Sequence, residues 1–221
     1  MTGRTPAPPS AAEAGFLDAE GIWRHAIAEL AWASGRPALF LDRDGVIVEE
    51  VDYLHRVEDL ALIPAAAELI AEANRRAIPV VVASNQAGIA RGYFGWEEFR
   101  QVQIELNRRL VEIGARVDLM LACPHYPEHP DRKPRPGMFR KAAQMAAIDP
   151  GRSWVIGDKA SDLEAARAAG LSGGVLVLTG HGADHQQAAR SLETPAFRVF
   201  IESTAAEARW VLDRLQPGRS Q

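Results

Sequence analysis

Short apolar runs recur along the chain at residues 38–41, 79–83, 117–122, 154–157 and 174–178. They consist of Val, Leu, Ile, Phe and Ala with almost no polar alternation, which marks strands covered on both faces. Between them, residues 65–77, 96–113, 137–147 and 161–169 repeat apolar side chains at helical spacing, and Gly114 and Gly170 stand where two of those helices would stop. Strand and helix alternate, which predicts an α/β fold: a doubly wound, mostly parallel, Rossmann-like sheet. Residues 197–201 add a short last strand, 205–215 a closing helix and 216–221 a frayed tail.

The chain begins differently. Residues 1–10 are rich in Pro, Thr and Gly, and such sequence buries too little to offset its ordering entropy, so disorder is expected there. Phe16, Leu17, Ile22, Trp23, Ile27, Leu30 and Trp32 then predict a short segment followed by an amphipathic helix. Residues 11–35 are read as a helical extension packed on a main domain spanning 36–215.

Composition narrows the function classes. The 221 residues suffice for one α/β domain, and 47% apolar with 24% charged residues is ordinary for a soluble globular protein. A net charge of −4 gives no general attraction to nucleic acid or to an anionic membrane, so an anionic substrate must be captured by local cations. Cys123 is the single cysteine, which excludes an intrachain disulfide and suits a reducing compartment. With no secretory-type apolar core near the N-terminus and no apolar stretch of membrane-spanning length, the expectation is a cytoplasmic protein, taken as a monomer.

In open parallel sheets, ligands gather at the carboxyl ends of the strands. The first strand ends in Asp42-Arg43-Asp44-Gly45, whose carboxylates alternate onto the same side and repel each other unless a divalent cation lies between them. The second ends in Ser84-Asn85-Gln86-Ala87-Gly88, a hydroxyl, amides and a glycine turn able to donate to a phosphate. The third ends in Cys123-Pro124-His125 and leads to Arg132-Lys133-Pro134-Arg135-Pro136-Gly137; the fourth ends in Gly157-Asp158-Lys159-Ala160-Ser161-Asp162. Singly, these are ordinary turns, caps and surface charges. Their succession at consecutive strand ends points to one catalytic rim.

In that order, Asp42-x-Asp44-Gly45, Ser84, Lys133 and Gly157-Asp158-x-x-x-Asp162 resemble the four motifs of the haloacid dehalogenase (HAD) superfamily of phosphohydrolases, over residues 38 to about 180. The longer wording, 40–45, 85–92, 132–138 and 155–159, is similar to the heptose 1,7-bisphosphate 7-phosphatases and, less specifically, to histidinol-phosphate phosphatases. The resemblance implies Asp42 as nucleophile, Asp44 as general acid and base, and Ser84 and Lys133 as holders of the phosphoryl oxygens. It implies Mg²⁺ held by Asp42, the main-chain carbonyl of Asp44, and Asp158. The implied substrate is a small phosphorylated sugar, contacted by Glu50, Asp52, Tyr53, Asn85, Gln86, Arg132 and Lys159, with Arg132 suited to a second phosphate. The segment 46–63 is too short for a separate cap domain, so an open site is expected. Many of these phosphatases carry a structural zinc loop. Here Cys123 and His125 match its first half, but the second half has no cysteines, leaving His129 and Asp131 as substitutes; a loop folded without zinc is the favoured reading. A non-catalytic module with the same fold is the remaining alternative, set aside because no catalytic position is degraded.

Overall fold

The computed structural model describes residues 16–26 and 35–216. At its centre lies β2 (Leu39–Leu41), all three residues buried, with parallel neighbours β3 (Val80–Asn85) and β5 (Trp154–Gly157). β4 (Leu119–Cys123) extends the sheet beyond β3, and β6 (Gly173–Val177) and β7 (Arg198–Glu202) extend it beyond β5, all parallel. β1 (Trp23–Ala26) closes the β4 edge antiparallel, giving the order β1-β4-β3-β2-β5-β6-β7.

The continuous apolar runs have the expected cause. Along β2, Leu39 and Leu41 enter one core layer and Phe40 the other, and along β3 Val80 and Val82 oppose Val81 and Ala83 in the same way. The first layer is covered by α1 (Pro64–Arg75) and α3 (Trp96–Glu112), the second by α4 (Gly137–Met145) and α5 (Ala160–Ala169). Each buried Leu, Val or Phe side chain contributes about 1.5–3 kcal/mol, so both faces must be apolar for the strand to be held. A short α2 (Ala87–Ala90) follows β3, α6 (Gly182–Arg190) follows β6, and the predicted closing helix is a 3₁₀ turn, Glu207–Trp210, running into α7 (Val211–Arg214). The connection from β2 to α1 is a loop pinned by a Val48–Leu62 bridge, with one 3₁₀ turn at Val57–Asp59. It contains no separate cap domain.

The N-terminal extension needs correction. Residues 23–26 form a strand, not part of a helix. Gly21 has φ of 73° and the Asp18 carboxylate accepts the Glu20 and Ile22 amides, so the chain turns and then extends along β4, covering an edge that would otherwise present unpaired backbone groups. Trp23 is buried, stacked on Phe16 at 4.8 Å and on Trp96 at 5.5 Å. The rest of the predicted helix, Trp32 included, lies outside the described residues, as do residues 1–10 and 217–221.

Candidate active site

β2 delivers Asp42 to the carboxyl edge of the sheet, and Gly45 turns the chain away with φ of 77°. A side chain at Gly45 would put its Cβ 2.4 Å from Asp158 Oδ2, so only glycine lets this turn approach the end of β5. Asp42 Oδ1 accepts the Arg43 amide at 2.7 Å and lies 2.9 Å from Lys133 Nζ. The same ammonium lies 2.7 Å from Asp162 Oδ1 and donates to the Ala83 carbonyl at 2.7 Å, so three fixed oxygens surround it. Lys133 is held there by its own backbone, whose N–H and C=O are both hydrogen-bonded to the Asn85 side-chain amide.

Asp42, Asp158 and Asp162 are buried, and each offers an oxygen within 4.8 Å of the others. Lys133 stands among them as the one fully buried lysine partner. Burial pushes Asp42 up, to about 8, because Lys133 only partly offsets desolvation and the neighbouring carboxylates. Asp158 is raised for the same first reason. Burial alone would lower Lys133 and Lys159, but carboxylates (Asp162 and Asp42 around the first, Asp158, Asp42 and Glu50 around the second) outweigh it and raise both. Asp158 Oδ2 accepts the His181 amide at 2.9 Å, whereas Oδ1 is buried without a hydrogen-bond partner. A buried carboxylate oxygen without a partner, beside two more carboxylates, fits a hard divalent cation with oxygen ligands.

The Asp44 carboxylate turns toward β3 instead. Its Oδ2 accepts from Gln86 Nε2 at 3.1 Å and from Ser84 Oγ at 3.3 Å, and Gln86 also donates to Ser84 Oγ at 2.8 Å. Arg43 grips both oxygens, at 3.2 Å and 3.1 Å from Nε and 2.9 Å from a terminal nitrogen.

One cavity of about 700 Å³ gathers Asp42, Asp44, Ser84 and Lys133 with the predicted substrate-binding residues Glu50, Asp52, Tyr53, Asn85, Gln86, Arg132 and Lys159. Glu50 accepts Lys159 Nζ at 3.0 Å and lies 3.5 Å from His181 Nε2. At the rim, Arg91 donates to Tyr53 Oη at 2.7 Å and lies 3.9 Å over the Tyr126 ring, and Arg132 lies 5.4 Å from the same ring. Asn85 faces Lys133, so its contribution here is to hold that residue rather than to line a sugar contact alone.

Among the described residues, the four weighed for zinc do not converge on one point. Burial pushes the Cys123 thiol up to about 11. His125 Nε2 is bonded to the Glu20 carbonyl at 2.7 Å, its ring stacks on His129 at 3.9 Å, and His129 Nδ1 accepts the Asp131 amide at 3.2 Å. Asp131 lies 2.8 Å from Lys141 Nζ, which also reaches Asp18 at 2.8 Å and Glu20 at 3.2 Å. Among the described residues, the only convergent set of three or more metal-binding side chains is Asp42, Asp158 and Asp162.

The sequence reading gave no role to Arg43, Gln103, Arg91 or His181, and it quoted Asp162 only as a motif position. Asp162 has two tasks: it accepts the Lys159 amide at 3.0 Å, closing the first turn of α5, and it pairs with Lys133. Gln103 carried a legible signal, a polar residue inside the buried stripe Phe99, Val102, Leu106 and Leu110 of α3.

Residues 131–203 match a family described as HAD-hydrolase-like. Over 170 residues the chain is 44% identical to a D-glycero-beta-D-manno-heptose-1,7-bisphosphate 7-phosphatase of Mesorhizobium japonicum, covering 73% of this chain and 78% of the relative. A HAD-like phosphatase from Mesorhizobium loti superposes with a TM-score of 0.80 at 36% identity, over 93% of this chain and 99% of the other. The D,D-heptose 1,7-bisphosphate phosphatase of B. bronchiseptica, crystallised with magnesium and phosphate, superposes with a TM-score of 0.73 at 31% identity, over 80% and 98%.

Proposed function

The chain belongs to the heptose 1,7-bisphosphate 7-phosphatase family of HAD-like hydrolases, and from that premise we propose that it hydrolyses the 7-phosphate of D-glycero-D-manno-heptose 1,7-bisphosphate through a phosphorylated Asp42. The observation that carries this reading is the buried ammonium of Lys133 set between Asp42 and Asp162 on the wall of a cavity whose lining includes Arg91 and Arg132.

An oxygen of Asp42 attacks phosphorus while the bond from phosphorus to the sugar oxygen breaks, and Asp44 gives that oxygen its proton. Water then attacks the aspartyl-phosphate, Asp44 takes the water's proton, and phosphate leaves with the Asp42 carboxylate restored. Asp42 Oδ1 is already occupied by Arg43 N and Lys133, which leaves Oδ2 as the attacking atom. Ser84 and Lys133 bind the equatorial oxygens, where charge is spread in the transition state. Asp42, Asp158 and the Asp44 carbonyl would hold Mg²⁺, which when bound neutralises the repulsion between nucleophile and phosphate.

The rim selects the rest of the substrate. Arg132, half-buried and with its proton affinity lowered by that burial, and Arg91 supply two guanidiniums for a distal phosphate, while Glu50, Asp52 and Tyr53 suit sugar hydroxyls. Guanidiniums there disfavour histidinol phosphate, which carries an ammonium and an imidazole and has no second phosphate for them to bind. Initial rates on the two substrates test the reading: faster turnover of the bisphosphate is expected, and Asp42→Asn is expected to abolish it. Higher kcat/KM on histidinol phosphate would reject the substrate, and an active Asp42→Asn would reject the nucleophile.

A further inference from the structure

We propose that Gln103 is a positioning residue for the phosphatase reaction, fixing Asp44 at a distance through Arg43. The starting point is an oddity of burial. Arg43 is 1% exposed although it lies between two acidic residues, and Gln103 is 4% exposed within the apolar stripe of α3. Neither long polar side chain would be retained inside without partners, since a buried polar group left unsatisfied is destabilising. They are each other's partners: one terminal nitrogen of Arg43 donates to Gln103 Oε1 at 2.9 Å, and the guanidinium lies 5.4 Å from the Phe99 ring, one helical turn earlier on α3. The other nitrogens hold the Asp44 carboxylate. α3 thus reaches, through one guanidinium, the side chain that meets the leaving group.

The consequence for the reaction follows from what a general acid must do. When Asp44 gives up its proton it becomes an anion next to Asp42 and the phosphoryl group, and a fixed guanidinium stabilises that anion as it forms. Arg43 can do so only if its fork stays aligned, and the anchors at its far side are Gln103 Oε1 and the face of Phe99. Gln103 touches neither substrate nor Asp44, so its effect passes entirely through Arg43.

This inference rests on the assignment of Asp44 as general acid but not on the sugar, so aryl phosphates can test it. Substituted phenyl phosphates are compared, from p-nitrophenyl phosphate, whose phenolate leaves readily unprotonated, to phenyl phosphate, whose leaving oxygen needs the proton. In Gln103→Leu, kcat/KM for p-nitrophenyl phosphate is expected to stay within about twofold of wild type while that for phenyl phosphate falls about tenfold, a steeper dependence on the leaving group. Gln103→Glu keeps an acceptor for Arg43 and is expected to restore the wild-type slope. Gln103→Met repeats the test with an unbranched side chain should the leucine variant fold poorly. An unchanged slope in the folded Leu or Met variant, or loss of folding in both, would reduce Gln103 to a structural prop and overturn the proposal. Wild type inactive on the bisphosphate as well as on every aryl phosphate would instead overturn the phosphatase reading itself.

Discussion

Lys133 sits where three demands meet. Its ammonium neutralises Asp42, pairs with Asp162 and is fixed on the Ala83 carbonyl, all with 4% exposure. Coulomb attraction at such distances outweighs the cost of burying the lysine, as its raised proton affinity records, but the same neighbours leave the carboxylates in excess. Lys133→Met would remove the charge while keeping most of the volume. We expect kcat on the bisphosphate to fall by about 10²–10³, the usual effect of deleting one preorganised donor to a developing charge. Steady-state kinetics on the folded variant decide it, and retention of a tenth or more of wild-type kcat would remove Lys133 from the reaction. The Asn85 amide holds both backbone groups of Lys133, so its loss is expected to lower kcat in the same assay to a smaller degree.

At the scale of elements, the N-terminal strand and the loop after β4 form one assembly. Lys141 on α4 joins Asp18 and Glu20 from the extension to Asp131 from the loop, and the Glu20 carbonyl holds His125. Arg132 and Lys133 follow Asp131 directly, so the extension braces the segment that carries two cavity cations. Lys141→Met leaves Asp131, which is 4% exposed, without its cation, and we expect a loss of about 1–3 kcal/mol, read as a lower denaturant midpoint at unchanged m-value. A midpoint equal to wild type would mean that the network is idle. This assembly was the least legible part of the sequence. Over residues 23–26 the apolar spacing read as the start of a helix, whereas Gly21 and the Asp18 turn are local signals that set up a strand. α6 escaped for the opposite reason: it meets the sheet through Gly182 and Ala189, which leave no apolar stripe. The strands were legible because burial on two faces writes continuous Val, Leu and Ile; of the candidate site, Asp42, Asp44, Ser84 and Asp158 stood out because each lies close to a strand end, whereas Lys133 lies farther out, on the loop after β4. The Arg43–Gln103 contact, spanning 60 residues, has no local signature beyond one polar residue in an apolar stripe.

For the molecule as a whole, the site is a concentrated electrostatic load on the fold. The two core layers are broken at the carboxyl edge of the sheet by three buried carboxylates. Asp42 takes up its proton in the folded state at about pH 8, whereas an unfolded Asp does so at about 3.9. Between those values the folded protein binds a proton that the unfolded chain releases, so stability is greatest near the lower limit and falls as pH rises through the window. Asp158 is raised in the same direction and adds to the slope; Lys133, raised as a base, loses its contribution only at higher pH and does not oppose the trend. In EDTA, thermal unfolding should therefore move to lower temperature as pH is raised from 5 to about 8. A divalent cation favours the ionised carboxylates, so Mg²⁺ should flatten this slope and, at about 100 times its Kd, add about 2.7 kcal/mol, or roughly 5–10 °C for a chain of this size. Asp158→Asn should lose the Mg²⁺ increment. A melting temperature that stays level from pH 5 to 8 in EDTA, with no response to Mg²⁺ in wild type, would mean that these carboxylates neither bear the strain of burial nor share a cation.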